Sequence, residues 1–216
     1  MCALILTVFT CSHLTSLGYL LSLFLVLIHH PEVQRRIQRE VDEVVGRGRR
    51  PRVDDRPSMP YTEATVLEIF RYASNLPLTA GRKATKEMEL TDFGLTIPKD
   101  TSIIINAWYI HHDERIFTDP WAFNPERFLD SHGRLLPPTD PKRIAVNNFG
   151  LGERMCPASD FAESRFFLYV TTLLQKFDLD PPTKREQLPS CDPRTYCPGT
   201  ILQPRVFSTK ITKRVN

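Results

Sequence analysis

The uncharged N-terminal segment constrains the fold of this chain more than any other feature. Residues 1–30 contain no Asp, Glu, Lys or Arg, and Leu17–Ile28 is almost entirely apolar. A helix of this composition must be covered on every side, either by lipid or by protein. Polar residues interrupt its first half, which favours a protein cover, but hydropathy alone leaves both interpretations open. A secretory signal peptide is disfavoured, because no basic residue precedes Arg35.

Composition excludes several classes of protein. Of the 216 residues, 41% are hydrophobic and 25% are charged, which excludes a disordered polyelectrolyte. The net charge of +3 is too small to indicate a nucleic-acid partner. The five cysteines form no CxxC pair, so a zinc ribbon is disfavoured. A chain of this length has room for one sizeable core or two small ones.

Two helices are expected next. Pro31 suits the first position of a helix, and Gly46 is expected to end that helix. Apolar residues recur on one helical face at Val33, Ile37, Val41 and Val44. The charged, proline-rich residues 47–60 are expected to form a surface loop. The apolar spacing that follows predicts a third helix over residues 61–75.

The pattern becomes irregular after the third helix. Short strands joined by turns are expected over residues 89–91, 95–97 and 102–105. Residues 113–157 contain six prolines and little periodicity, but their aromatic content indicates an ordered segment. Helix returns over residues 158–176. Its predicted apolar stripe consists of Phe161, Ala162, Phe166, Tyr169, Leu173 and Leu174.

The segment FGLGERMCPA (residues 149–158) presents one thiol just before this last helix. Arg154, the N-terminus of the helix and the backbone N–H groups of a turn all favour the thiolate form of Cys156. Such a thiolate is a soft ligand for iron. An ordinary half-buried cysteine is the alternative. A cysteine nucleophile has no obvious partner, since the nearest histidine in the sequence is His132.

Two further motifs are weak when taken alone. Glu68 and Arg71 lie at i, i+3 on the third helix, but Glu32 and Arg35 show the same ExxR spacing. The PERF sequence at Pro125–Phe128 is equally unremarkable by itself. The order is informative: an ExxR helix, a β-rich stretch, an aromatic and proline-rich segment with PERF, and then FxxGxRxC before a helix.

This order resembles that of the cytochrome P450 family, the haem-thiolate monooxygenases, over residues 14–216. MPYTEATVLEIFR and DPWAFNPERFLD are similar to sequences of the animal microsomal branch, near its drug-metabolising and steroid-hydroxylating members. The implied fold class is mainly α with small β-sheets (α+β). It would be the C-terminal part of the cytochrome P450 fold, from the distal (I) helix to the C-terminus.

The resemblance implies one truncated cytochrome P450 domain over residues 1–216. Its expected parts are an apolar buried helix (1–30), helices including the ExxR helix (31–75), short strands and a helix (76–112), a meander with the cysteine-ligand loop (113–157), and a proximal helix with terminal hairpins (158–216).

The family's motifs carry roles over to the matching residues. The resemblance implies that Cys156 is the axial thiolate ligand of the haem iron and that Phe149 packs beside the ligand loop. Gly152 would let the backbone approach the thiolate closely. Arg154 and Arg82 would each contact a haem propionate.

The resemblance also implies a buried ion network of Glu68, Arg71 and Arg127. This network would lock the meander onto the core. These three residues would therefore support the haem site structurally and take no part in catalysis.

The sequence departs from the family's pattern at two places. Ala158 stands where a glycine is usual, two positions after the ligand. The distal-helix motif would match Cys11–Ser16, where Thr15 fits the threonine that helps deliver protons, but Leu14 replaces an acid and Ser12 a glycine. Either the distal chemistry is altered, or residues 1–13 are foreign sequence joined at about Leu14. The abrupt loss of the motif favours the second.

Cofactors and partners follow from the same resemblance. The cofactor would be haem b (iron protoporphyrin IX), with electrons from NADPH delivered by the flavoprotein NADPH–cytochrome P450 reductase. That reductase would dock on the proximal face, where Lys142, Arg143 and Arg154 form a modest positive cluster. The substrate would be a lipophilic small molecule such as a steroid, a fatty acid or a xenobiotic.

The resemblance also leads to expectations about where the protein is located and whether it is active. The family implies the endoplasmic reticulum membrane, with the anchor absent or replaced in this chain. A catalytically inert product or a reductase-binding decoy is the main alternative to an enzyme. A single-pass membrane protein anchored by residues 1–28 is the weaker alternative.

Overall fold

The computed structural model describes residues 2–182 and 184–215, with side chains from Ser12 onward. Four long helices dominate it: α1 (Cys2–His29), α2 (Pro31–Val44), α3 (Pro60–Ala73) and α6 (Ser159–Lys176). Two short helices, α4 (Ala107–His111) and α5 (Pro141–Ala145), lie in the irregular region. The chain is therefore helix-rich with small sheets, as the sequence predicts.

The strands form three separate antiparallel pairs. β1 (Arg82–Lys83) pairs with β4 (Ser102–Ile103), and β2 (Met88–Leu90) pairs with β3 (Leu95–Ile97). β5 (Phe177–Asp180) pairs with β6 (Lys210–Lys213), with Phe177 opposite Lys213. The predicted strands near 89, 95 and 102 are confirmed within two residues. Arg82 lies in β1.

α2 follows its sequence signals closely. Pro31 occupies its first turn, and Gly46 follows its C-cap with φ of +69°, the left-handed conformation that glycine adopts without strain. Val33, Ile37 and Val41 are buried, as their spacing predicts. Two glutamines extend this face: Gln34 exchanges hydrogen bonds with the backbone N–H and carbonyl of Leu179, at 2.7 and 3.0 Å. Gln34 thereby ties α2 to β5.

The main core lies where the four long helices meet. α3 is buried around nearly its whole circumference, with Ile69, Phe70 and Ala73 among its covered residues. α1 is covered on every side near its C-terminal end, since the consecutive residues Leu25–Ile28 are at most 1% exposed. By length and composition, α1 is also apolar enough to cross a membrane over Ser12–His29.

The predicted apolar stripe of α6 is partly wrong. Phe161 and Tyr169 are 65% and 49% exposed. The buried face instead runs through Phe166, Phe167, Val170 and Leu174. Apolar spacing identifies several overlapping stripes on this helix, and packing against α2 and α3 selects the one that contains Phe167.

The irregular segment is ordered by a second, smaller core. Phe117 and Phe128 are fully buried there, with Ala64 of α3 and Ala145 of α5. The two rings make edge contact at a centroid distance of 6.3 Å. Aromatic side chains thus hold a segment that has little regular secondary structure, as its composition indicates.

Candidate functional site

A buried charge network joins α3 to the irregular segment. The side chains of Glu68 and Arg71 are fully buried and form a two-point ion pair, with N–O distances of 2.7 and 2.8 Å. Arg127 donates to Glu68 Oε1 at 3.1 Å, and its side chain is 6% exposed. The backbone N–H of Asn124 donates to the same oxygen at 2.8 Å. The structure therefore brings together the three residues expected to form this network.

The two arginines of the network also hold backbone carbonyls. Arg71 Nη1 donates to the carbonyls of His111 and Pro120, both at 2.8 Å. Arg127 donates to the carbonyls of Thr118, Asp119 and Ala122 at 3.0–3.2 Å. These bonds satisfy backbone carbonyls in a segment where no strand pairing is available to them. Asp119 lies in the left-handed region at φ +47°, and Arg127 holds its carbonyl in place.

The loop that carries Cys156 is closed by its own backbone. The N–H of Cys156 donates to the carbonyl of Phe149 at 2.7 Å. Gly150 and Gly152 have φ of +77° and +68°, so the loop needs left-handed residues at both positions. No described atom lies within 4 Å of where a Cβ of Gly152 would be. Within this chain, Gly152 is therefore required for its backbone conformation; its expected approach to the thiolate stays a prediction.

Phe149 anchors this loop in the main core. Its ring meets Phe70 edge-on at 5.7 Å, and Phe70 in turn contacts Phe166 at 5.2 Å. Phe70 lies between Glu68 and Arg71 on α3, so the same helix carries both the charge network and the aromatic contact. Cys156, a half-buried free thiol, comes two residues before the N-cap Ala158 of α6.

The surroundings of the thiol combine cations with exposed apolar side chains. Arg82 donates to the carbonyl of Arg154 at 2.9 Å, so β1 lies against the cysteine loop and adds Arg82 to the arginine that the loop already contains. Both arginines are exposed. Leu151 and Met155 in the loop are 61% and 45% exposed. This arrangement offers one soft ligand, two cations and apolar contact area.

The distal candidate Thr15 lies on α1 and is half-buried. The hydroxyl of the adjacent Ser16 accepts a hydrogen bond from Arg165 of α6. The side chain of Cys11, the first residue of the motif window, lies outside the described side chains, and so do those of the other residues from 2 to 10. The question of whether residues 1–13 are foreign sequence therefore stays a prediction.

The chain is similar to known proteins over most of its length. The sequence model of the cytochrome P450 family matches residues 1–210. The chain belongs to the cytochrome P450 family. It is 42% identical to cytochrome P450 1A5 of Gallus gallus over 152 residues, which are 70% of this chain and 28% of that protein. It is 41% identical to cytochrome P450 1A2 of Mus musculus over 178 residues, or 82% of this chain and 34% of that protein.

These relatives confirm the predicted family and its animal branch. The cytochrome P450 chain described here spans about a third of the length of the relatives it matches.

Haem fits the residues of this cytochrome P450 site. Within the described part of the chain, no group of three or more His, Cys, Asp or Glu side chains could hold a bare metal ion. A single thiol suits iron that arrives with a macrocycle supplying its other ligands. The exposed Leu151 and Met155 offer apolar area to such a ring, and Arg82 and Arg154 match its propionates in charge.

Sequence reasoning missed His111, a buried residue in contact with the segment that leads to the cysteine loop. It is 1% exposed, and burial first of all, followed by repulsion from His112 and Arg71, lowers its pKa to about 3. The sequence shows only two adjacent histidines before an Asp, which carries no local signal for burial. Asn147, whose backbone N–H contacts His111, and the adjacent Asn148 have buried amide atoms without a hydrogen-bond partner in the described residues.

Proposed function

We propose that this chain is the haem-binding part of a monooxygenase that acts on lipophilic substrates. The observation that carries the proposal is the closed loop holding Cys156 at the head of α6, with Arg82 and Arg154 against it. The family match over residues 1–210 supports it. The substrate class, a steroid, fatty acid or xenobiotic, includes drug-like molecules of the kind associated with this animal branch.

In this proposal, Cys156 would be the thiolate ligand that holds haem b, and Arg82 and Arg154 would bind its propionates. When bound, the haem supplies the chemistry of oxygen activation, in which NADPH-derived electrons reduce O2, one atom enters the substrate and the other becomes water. Phe149 and the two left-handed glycines hold the thiol at a fixed position. Thr15 on α1 would supply a hydroxyl that helps deliver protons.

Glu68, Arg71 and Arg127 serve this function as structural supports. Their bonds end on each other, on backbone carbonyls and on the backbone N–H of Asn124, so each helps to hold the segment 118–127 against α3. Removal of one partner would leave a buried charge uncompensated, which costs about 3–5 kcal/mol.

Electrons would reach the haem from NADPH–cytochrome P450 reductase at the face that includes α5. Lys142 and Arg143 lie on this helix, and Arg143 also donates to the carbonyl of Leu136 at 2.9 Å. With Arg154 they form a modest cationic surface for an acidic partner. The proposed location is the endoplasmic reticulum membrane, where lipophilic substrates concentrate.

The first test is the difference spectrum of the reduced chain with carbon monoxide, after expression with a haem precursor. We expect a strongly red-shifted Soret band, which Cys156→Ser abolishes. Cys191→Ser and Cys197→Ser are matched controls, because these two are also free thiols and should leave the band unchanged. A chain that folds but gives no such band would contradict the proposal and favour an inert product or a reductase-binding decoy.

A further inference from the structure

His111 forms a node between three parts of the structure. It ends α4, and its own carbonyl accepts the hydrogen bond from Arg71 Nη1. Its ring is buried, with Nδ1 at 2.5 Å from Ser74 Oγ and Nε2 at 3.3 Å from the backbone nitrogen of Asn147. The same N–H of Asn147 also donates to the carbonyl of Ala145 at 3.0 Å, so the two acceptors share it. Ser74 follows α3 directly, and Asn147 precedes the cysteine loop. One side chain therefore connects the ExxR helix with the segment that leads to Cys156.

The hydrogen-bond partners fix which ring nitrogen carries the proton. The backbone N–H of Asn147 is a donor only, so Nε2 must accept. In the neutral ring the proton then lies on Nδ1, which donates to Ser74 Oγ. The Ser74 hydroxyl in turn donates to the carbonyl of Arg71 at 2.8 Å. The tautomer follows from the network, and it leaves no ring nitrogen without a partner.

Asn147 begins the turn that leads into the loop with the Cys156 thiol. Its carbonyl accepts from the N–H of Gly150 at 2.9 Å, and Phe149 within this turn accepts from the N–H of Cys156. A continuous series of bonds thus runs from Arg71 through His111 and Asn147 to Cys156. Each bond in the series is between groups that are wholly or partly buried.

We propose that His111 is a positioning residue that fixes the start of the Cys156 loop relative to the Glu68–Arg71 pair. It acts through its Nε2 acceptor, which shares the N–H of Asn147 with the carbonyl of Ala145 and so adds a contact from α4 to this turn. That the loop carries the iron ligand rests on the proposed function. The positioning itself rests on the bonds described here and is measured without haem.

Two substitutions at this position separate the two ring bonds. The side-chain amide of Asn lies about as far from the backbone as Nδ1 of His. His111→Asn therefore keeps a partner for Ser74 and loses the bond to Asn147. Gln places an acceptor at the distance of Nε2, so His111→Gln keeps the bond to Asn147. The matched control is His112→Asn, because His112 is also buried but contacts the carbonyls of Trp108 and Tyr72.

The experiment is hydrogen–deuterium exchange on the full chain, followed at the amides of residues 147–156 and of α3. We expect His111→Asn to speed exchange at residues 147–150 by roughly 5-fold, because the N–H of Asn147 loses one of its two acceptors and keeps the carbonyl of Ala145. We expect exchange in His111→Gln and His112→Asn to stay within about twofold of the parent. Exchange in α3 should be unchanged in all three variants.

The proposal would be overturned if His111→Gln or His112→Asn accelerated exchange at residues 147–150 as much as His111→Asn does. It would also be overturned if His111→Asn caused no acceleration. If His111→Asn does not fold, nitrogen-15 NMR of the parent chain decides, because an Nδ1–H ring supports the proposal and an Nε2–H ring overturns it. Failure of the proposed function would give a different result: the carbon monoxide band would be absent, while the expected differences in hydrogen exchange among the variants would still be seen.

Discussion

At the scale of single residues, the ExxR spacing has opposite meanings at its two occurrences. Glu68 and Arg71 are fully buried, whereas Glu32 is 63% exposed and pairs with His30. We expect Glu68→Ala to lower the free energy of unfolding by about 3–5 kcal/mol, because it strands the charges of Arg71 and Arg127. Glu32→Ala, the matched control, should change it by less than about 0.5 kcal/mol. Urea unfolding of both variants measures the difference.

The role of Glu68 is contradicted by one specific outcome. If Glu68→Ala folds with the parent's stability and yield yet loses activity in a haem-loaded chain, the residue acts in the chemistry and not as a support. A structural support predicts the reverse order, with the yield of folded protein falling before any selective change in turnover.

His111 should make the free energy of unfolding depend on pH. Burial holds its pKa at about 3, well below the value of about 6.5 in the unfolded chain. The unfolded state therefore binds more protons between these values, so the stability from His111 is complete above pH 6.5 and is lost as the pH falls. Between pH 7 and pH 5 the expected loss is about 2 kcal/mol.

Comparison of the parent with His111→Gln isolates this histidine. The variant should lose about 2 kcal/mol less between pH 7 and pH 5 in urea unfolding. Glu40, whose pKa is raised chiefly by burial, works in the opposite direction, but it is the same in both proteins. Asp113 and Asp130, whose pKa values are lowered by hydrogen bonds from Arg115 and Arg134, titrate below this range. Parallel pH profiles would contradict the prediction.

At the scale of elements, the cysteine loop depends on the backbone conformation of its glycines. Gly152 is left-handed with open space around it, so Gly152→Ala should cost about 1–2 kcal/mol through backbone strain alone. Gly48 also has open space but lies outside the left-handed region, and Gly48→Ala should be neutral within about 0.5 kcal/mol. Equal effects in chemical denaturation would show that conformation is not what Gly152 supplies.

The elements also show how far the sequence determines the structure. α2 could be predicted from Pro31, its four-residue apolar spacing and Gly46, because all three signals are local. The exposed Phe161 on α6 could not, since spacing gives candidate faces and only the partner helices choose among them. His111 was missed for the same reason: its ring partners, Ser74 and Asn147, lie 37 and 36 residues away in the sequence.

The charge network of Glu68, Arg71 and Arg127 could be predicted from the sequence only in part. Glu68, Arg71 and Arg127 were predicted from the order of motifs and a family resemblance. Their spacing alone could not distinguish them from Glu32 and Arg35. The burial that separates the two pairs is a property of the packed chain, because α3 is covered by α1, α2, α6 and the irregular segment together.

At the scale of the whole molecule, the environment of α1 distinguishes a helix covered by protein from a helix that spans a membrane. If protein covers it, Leu25, which is fully buried, must matter far more than Leu17, which is 38% exposed on the same helix. We expect Leu25→Ala to lower the free energy of unfolding by about 2–5 kcal/mol. Leu17→Ala removes the same atoms from the same helix and should cost less than about 1 kcal/mol.

A membrane-spanning α1 predicts a different result. Lipid would cover both positions, so the two substitutions should have similar effects, and the chain should stay with membranes during alkaline carbonate extraction. Release of the parent chain into the soluble fraction, together with the unequal leucine effects, identifies α1 as the central helix of the core. That result would also place Thr15, ten residues before Leu25, on a helix fixed by α3 and α6, as a distal role requires.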